Sequence, residues 1–598
     1  MNIWLGYLKN ALHRQMPEDK ISSGRKYGRL RDNLKYIYPS VSKHWKLGVV
    51  SLICLLLTSL LVFPMPLVSK YFLDNVLVKR NMSLLVPVLI IYASIIVLNK
   101  LFGTLQSFSN TRFLQEVTLD IQARLLNNVF ALPKAFFDHI QKGYLMSRLT
   151  SDVSAVRWFF SGTVIQLAVQ IIRFAGGVFF IFYLEWRIAL PLMFFLPIPF
   201  IVTRYFGKKS YVMSHQSGER YARFNSVFQE LISSVPLIKI FSKETKAEAI
   251  IIDEMRANNE LENEQQMLGF MNGIIMDIMP GIATAFVVIF GAYWVIVGHW
   301  TIGTLWAFRS YFGYVLGPVN YFASNINQLQ SNRASMERLA ALFKMSPEEN
   351  TETGIKPEKL KGTIEFKNVS FGYEPSKEIL KNISFKAAAG EHWAVIGPSG
   401  IGKTTLVSLI LRFYKPNSGL IYFDGLNASE YNVRALRKRI GYVPQKTELY
   451  SGTITENLRF SNDNATMEEI ITAAKIADIH SFIETLPQKY DTVLDEFAAN
   501  LSEGQKQRIS IARALVRYPD ILIFDEPTAS LDNVTEHHIY SLLPDFVKSK
   551  TTFTIAHRLN TVKNADKVMF FRDGMETLIG THKELMENID YKNFFEES

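Results

Sequence analysis

Six apolar stretches, each about 20 residues long and all within the first 322 positions, constrain this chain more than any other feature. A helix needs about 20 mostly apolar residues to cross a bilayer, and in hydrocarbon only helices and closed barrels satisfy their own backbone polar groups. The stretches lie near 47–69, 84–108, 160–184, 188–206, 270–297 and 301–322, and they read as membrane helices. The fourth is short and carries Pro191, Pro197 and Pro199, which kink a helix and oblige it to repair its backbone bonds locally. The sixth contains Arg309 and is weakly apolar; the need for an even number of crossings argues for counting it. Lys100, Arg173, Asn272, Asp277 and Arg309 lie within or near the spans. Charge inside a bilayer marks a cavity, a partner or a wet interface.

The connections set the expected orientation. Lys and Arg crowd residues 1–46 and the long segments 109–159 and 207–269, whereas the opposite side has only Lys70, Lys79, Arg80 and Arg187. By the positive-inside rule the N-terminus, both long loops and the C-terminal half face the cytoplasm, which makes the chain a multi-pass protein of the plasma membrane. The net charge of +10 is explained by these loops. No basic, aromatic-interleaved patch suggests nucleic acid. Cys54 is the only cysteine, so disulfides and cysteine-ligated zinc are excluded. The start, Met1-Asn-Ile-Trp-Leu-Gly, lacks the pattern of a cleaved signal peptide, and the first apolar run, from about Leu47, is expected to stay as a span. Residues 109–159 read as helix continuing out of the membrane and broken at Gly143, and 207–269 have the same character.

The second half reads as an ordinary α/β domain. The expected organisation is a basic cytoplasmic segment at 1–43, a six-helix transmembrane domain over 44–345, a polar linker at 346–362 and an α/β P-loop NTPase domain over 363–598. His392-Trp-Ala-Val-Ile396 is a buried-type strand, followed by the loop Gly397-Pro398-Ser399-Gly400-Ile401-Gly402-Lys403-Thr404-Thr405 and a helical pattern from Leu406. Strand, glycine loop and helix in this order are what a phosphate-binding loop requires. The glycines let backbone N–H groups face the phosphates, and the helix start adds a positive dipole end. Lys403 is placed to reach the β- and γ-phosphates, and Thr404 to offer its hydroxyl to Mg²⁺. A second apolar strand, Ile521-Leu-Ile-Phe, ends in Asp525 and Glu526. Asp525 suits the magnesium shell and leaves Glu526 to polarise the attacking water. Between the two lies Leu501-Ser502-Glu503-Gly504-Gln505, a helix start with Ser502 as its cap and another potential anion site. One chain with one phosphate loop has use for such a site only if it serves a partner's nucleotide.

These motifs resemble those of ATP-binding-cassette (ABC) exporters of the half-transporter type, over roughly residues 30–590. The resemblance implies that 397–405 is the Walker A loop, 501–505 the signature that acts on the partner's ATP, and 521–526 the Walker B strand with its catalytic glutamate. It further implies that Tyr373 stacks on adenine, that Gln445 senses magnesium and the membrane domain, that Asp532 communicates across the dimer and that His557 contacts the γ-phosphate. Phe136-Phe-Asp-His-Ile-Gln-Lys-Gly143 is similar to the first cytoplasmic loop of these exporters, which docks a short coupling helix on the cassettes. Two departures stand out. Glu503 occupies a position where the family most often has glycine, and Thr492 to Asn500 lacks the usual glycines. The expected function is ATP- and Mg²⁺-dependent export or flipping of an amphipathic, hydrophobic or lipid-like substrate across the bilayer by a homodimer. The alternatives are the catalytically intact half of a heterodimer, and a peptide exporter.

Overall fold

The structure, a computed structural model, describes residues 6–7, 30–140, 142–160, 165–374, 377–495, 498–526, 546–556, 562–572 and 577–596. The chain divides into two compact units, Met1–Phe130 with Lys142–Met345 and Ala131–Gln141 with Ser346–Ser598.

The first unit is helical. Four of its helical segments, Trp45–Val78, Met82–Phe130, Ile165–Pro199 and Glu244–Ile296, are long and apolar enough to cross a membrane. The stretch expected at 188–206 is not one helix: it spans the end of Ile165–Leu192, the 3-10 turn Met193–Phe195 and the start of Pro197–Ser233, whereas that at 301–322 falls in Ile302–Lys344. The third segment bends at Glu185, whose backbone is extended (φ −167°, ψ 99°). The first segment breaks at Phe63, because Pro64 and Pro66 have no N–H to give to the preceding turn. The Tyr311 hydroxyl donates 2.6 Å to the Phe63 carbonyl at that break, which keeps a buried acceptor satisfied in apolar surroundings. Gly176 and Gly177 let neighbours close in. A Cβ on Gly176 would meet the Phe63 ring at 2.1 Å, and one on Gly177 would meet Val315 at 2.9 Å. The core here joins Phe63, Ile181, Leu192, Val287, Phe308 and Phe312. Many large apolar residues, among them Leu52, Ile53, Ile90, Phe179 and Ile289, point outward, as a lipid-facing surface requires.

On the polar side of this unit, Asp152 is buried between Arg148 and Arg338. Burial alone would raise its pKa, but hydrogen bonds from Arg338 and Arg148 outweigh that and hold it below the usual carboxylate value.

The second unit is built on a six-stranded sheet in the order β12-β11-β3-β10-β9-β6. Its strands are β3 (His392–Ile396), β6 (Ile440–Val443), β9 (Ile521–Asp525), β10 (Thr551–Ile555), β11 (Lys567–Phe570) and β12 (Leu578–Gly580). All neighbours run parallel except β11 and β12. The strands β9 and β10 are buried along their whole length; β9 reads as a continuous apolar run up to Asp525, whereas β10 (Thr-Thr-Phe-Thr-Ile) carries three buried threonines. A separate antiparallel sheet, in the order β2-β1-β4-β5, comprises β1 (Ile364–Phe371), β2 (Leu380–Ala387), β4 (Ser418–Phe423) and β5 (Leu426–Asn427). The helices Ile454–Arg459, Met467–Ile476 and Glu503–Val516 share a second core that includes Leu458, Ile470, Ile509 and Leu515. Strand β10 lies between β3 and β9, so the loop after β3 and the acidic end of β9 emerge at the same edge. In an open α/β sheet, ligands bind in the crevice beyond the carboxyl ends of the strands.

Candidate active site

The loop after β3 curls because its glycines adopt backbone angles that other residues avoid. Gly397, Gly400 and Gly402 have φ of 145°, 79° and 118°. A Cβ on Gly397 would lie 2.6 Å from the Phe571 carbonyl oxygen, so the loop could not hold this path with another residue there. The helix Lys403–Ile410 starts immediately afterwards, with Gly402 as its N-cap. Lys403 is 6 % exposed, and its Nζ donates to the carbonyls of Gly397 at 2.6 Å and Pro398 at 2.9 Å. The ammonium is thus folded over the hollow of its own loop. Burial lowers its pKa, and the nearby Glu526 and Asp525 work against that shift. Pro398, Ser399 and Ile401 complete the loop, Thr404 is exposed and Thr405 is buried.

At the end of β9 the two carboxylates occupy different surroundings. Asp525 is 2 % exposed, and burial together with the adjacent Glu526 pushes its pKa up to about 6. It is hydrogen-bonded by Thr404 and by the Tyr442 hydroxyl, the latter at 3.4 Å. Glu526 is less enclosed and sits in the left-handed region at φ 48°, a strained conformation for a residue with a side chain. The Gln445 amide donates 2.7 Å to Glu526 Oε2. Tyr442 had drawn no attention in the sequence, because a tyrosine in a strand gives no sign that its hydroxyl will face the neighbouring strand's carboxylate.

Hard oxygen groups therefore meet here: the Thr404 hydroxyl and the Asp525 carboxylate bond to each other, and Gln445 is tied to the adjacent Glu526. No group of three or more His, Cys, Asp or Glu stands together among the described residues. A donor set of this kind fits Mg²⁺, which takes one or two protein ligands and completes its shell with phosphate and water.

Ser502 caps the helix Glu503–Val516 in a reciprocal capping box. Its hydroxyl accepts from Gln505 N at 3.3 Å, and the Gln505 side chain accepts from Ser502 N at 2.9 Å. The Glu503 side chain is 69 % exposed and pairs with Lys506 at 2.8 Å, one turn along its own helix. Leu501 is buried beneath, and Gly504 follows in the first turn. A further link escaped sequence reading: Thr447 donates 2.6 Å to Gln507, tying the segment after Gln445 to this helix.

Tyr373 is 42 % exposed and meets Phe371 and Tyr414 edge-on. It helps to line a pocket of about 500 Å³ together with Thr404, Ser408, Tyr414, Tyr442, Lys134 and Asp138. The last two belong to the short helix Lys134–His139, which is part of this second unit. Tyr414 donates to Asp138, Lys134 pairs with Asp138 at 2.7 Å, and the Lys134 ammonium lies 5.8 Å from the Phe413 ring centroid. His557 and Asp532 lie outside the described residues.

Comparison with known proteins agrees with this geometry. Residues 49–319 match the family described as the ABC transporter transmembrane region, and residues 380–529 match the family described as ABC transporter. The chain is 31 % identical to an ATP-dependent lipid A-core flippase of Syntrophus aciditrophicus, over 93 % of this chain and 92 % of the relative. It is 32 % identical to a fatty acid ABC transporter ATP-binding/permease protein of Mycobacterium bovis, over 79 % of this chain and 75 % of the relative. The solved structure of a bacterial Atm1-family ABC exporter with ATP bound superposes with a TM-score of 0.80 at 25 % identity, over 92 % of this chain and 98 % of that one. A membrane domain of apolar helices, followed on the same chain by a phosphate-loop ATPase with a capped signature helix, places this protein in the ABC transporter family as an ATP-driven exporter.

Proposed function

We propose that the protein exports or flips an amphipathic, lipid-like molecule across the cytoplasmic membrane, working as a homodimer with six crossings per chain and both termini in the cytoplasm. One observation carries the link between hydrolysis and transport. The membrane helix Leu85–Phe130 ends where Ala131–Gln141 begins, and that segment belongs to the ATPase unit, held there by Tyr414 and Asp138. A movement of the nucleotide pocket is therefore passed to the chain that enters the membrane. The lipid-like substrate class draws support from the relatives named for lipid A-core and fatty acids.

In this reading Tyr373 stacks on the adenine, the N–H groups of residues 397–405 cradle the phosphates, and Lys403 leaves its own carbonyls to meet the β- and γ-oxygens. Thr404, Asp525 and Gln445 would hold Mg²⁺, which when bound would supply positive charge against the phosphate oxygens. Glu526 accepts a hydrogen bond from the attacking water, and His557 contacts the γ-phosphate. The signature residues Leu501, Ser502, Glu503, Gly504 and Gln505 present the start of their helix to the nucleotide of the second copy. Asp532 communicates between the two copies. The homodimer is preferred to a heterodimer because Glu503 is neutralised by Lys506 on its own helix, which leaves the helix start fit to face phosphate.

ATP turnover by the purified chain, measured against a panel of amphiphiles, drugs and peptides, tests the substrate class. Stimulation by amphiphiles alone is expected. Stimulation by peptides alone would replace this reading with the peptide exporter.

A further inference from the structure

Arg173 lies deep in the membrane unit and has no counter-charge among the described residues. It precedes the bend at Glu185 by twelve residues, so a rise of about 1.5 Å per residue sets it ~18 Å below that end of a span about 30 Å thick. The residue is half-buried, and its Nε is enclosed without a hydrogen-bond partner. It forms no ion pair among the described residues. Asp277, the acidic residue set deep in the apolar part of Glu244–Ile296, does not pair with it. The other basic residues near the spans are accounted for. Arg309 is exposed near the outer end of its helix and lies over Trp306, and Lys100 is exposed on a flexible side chain that reaches towards an interface.

Tyr314 is a neighbour of Arg173: a Cβ on Gly177, one turn further along the Arg173 helix, would lie 3.1 Å from the Tyr314 backbone. Tyr314 is within electrostatic reach of the guanidinium, and Tyr92 is within reach of Tyr314. Tyr314 follows Ile302 by twelve residues, so it sits ~18 Å along its own helix, at a depth that matches Arg173. Two helices thus bring a permanent cation and a phenol to one level, and a third helix adds Tyr92 nearer its own start, seven residues or ~10 Å from Leu85. A guanidinium in hydrocarbon is costly unless something compensates it, and its planar fork suits oxyanions.

We propose that Arg173, with Tyr314 beside it and Tyr92 beyond Tyr314, binds the oxyanion headgroup of an amphipathic substrate whose hydrocarbon chain lies along the apolar helix faces. The inference rests on the export reading above and narrows it to acidic amphiphiles. Arg173 supplies the charge, and the tyrosine hydroxyls donate to the remaining oxygens.

The test uses the full-length protein in phosphatidylcholine nanodiscs, with fluorescent lysophosphatidic acid and lysophosphatidylcholine as paired probes. Binding is read by anisotropy, and ATPase stimulation is expressed relative to each variant's own unstimulated rate. The wild type is expected to bind the acidic probe at least about tenfold more tightly than the zwitterionic one, the scale of a charge-assisted contact. Arg173→Gln should abolish that preference, and Arg173→Lys should keep much of it. If Arg173→Lys discriminates no better than Arg173→Gln, or if Arg173→Gln keeps the full preference, the inference is overturned. Displacement of the acidic probe by inorganic phosphate at equal concentration would mean that a free oxyanion is the ligand, and would also overturn it. Equal binding of both probes to the wild type defeats the inference and leaves the export reading standing. Failure of every amphiphile to bind or stimulate defeats the export reading itself.

Discussion

The Gln445 amide and the Glu526 carboxylate are joined by a hydrogen bond of 2.7 Å. Gln445 follows β6 and Glu526 ends β9, and these strands are neighbours in the sheet. The residue expected to sense the cation and the residue expected to act on water therefore hold each other. Under the proposed roles, Gln445 would have to exchange this bond for a cation contact before Glu526 could turn to water.

Replacing Glu526 with Gln should leave ATP binding intact and lower turnover by about 10²–10⁴-fold, the usual contribution of a positioned general base. The substitution preserves size and hydrogen bonding to Gln445, so the phosphate cradle is untouched. Nucleotide-analogue fluorescence and phosphate release read the two quantities separately. A mutant with half the wild-type rate would remove Glu526 from the role of base.

Tyr373→Ala should raise the ATP concentration needed for half-maximal hydrolysis by roughly 5- to 150-fold, because stacking on a base is worth about 1–3 kcal/mol. The maximal rate should change far less, since the contact is equally present in ground and transition states. An unaltered ATP dependence would mean that the ring lies elsewhere.

Glu503→Gly should leave ATP turnover within about twofold of wild type or raise it. The ion pair it breaks is exposed at the Glu503 end and contributes little, about 0–1 kcal/mol. A severe loss would show that the carboxylate takes part in the signature's work.

Tyr414→Phe and Asp138→Ala each remove the bond between Tyr414 and the helix Lys134–His139. Both should still hydrolyse ATP, with a markedly smaller ratio of stimulated to unstimulated rate. Burial, reinforced by Asp138, raises the Tyr414 pKa, so the phenol remains a donor at neutral pH. Full stimulation in both variants would place the coupling contact somewhere else.

The parts of this molecule that were legible in its sequence are local ones. Strand, loop and helix at 392–413 could be read in order because glycine spacing and apolar runs report backbone geometry directly. Ser502 could be read as a cap for the same reason. The contacts that gather the site are long-range and left no such mark. Tyr442 meets Asp525 only because β6 lies beside β9, and Tyr414 meets Asp138 across 276 positions of chain. In the membrane unit, hydropathy located apolar surface but not helix ends. Glu244–Ile296 runs unbroken from a charged beginning into an apolar end, because a change from water-facing to lipid-facing side chains does not interrupt backbone hydrogen bonding.

The central claim is that this chain, paired only with itself, uses ATP to move a lipid-like molecule across a bilayer. It is tested most directly in proteoliposomes containing the purified protein and a headgroup-labelled acidic lipid, with the label in the outer leaflet quenched chemically. On addition of ATP and Mg²⁺, wild-type protein should change the accessible fraction of label, and Glu526→Gln should not. Liposomes that stay unchanged with ATP until a second, different half-transporter is added would contradict the homodimer and establish the heterodimer in its place.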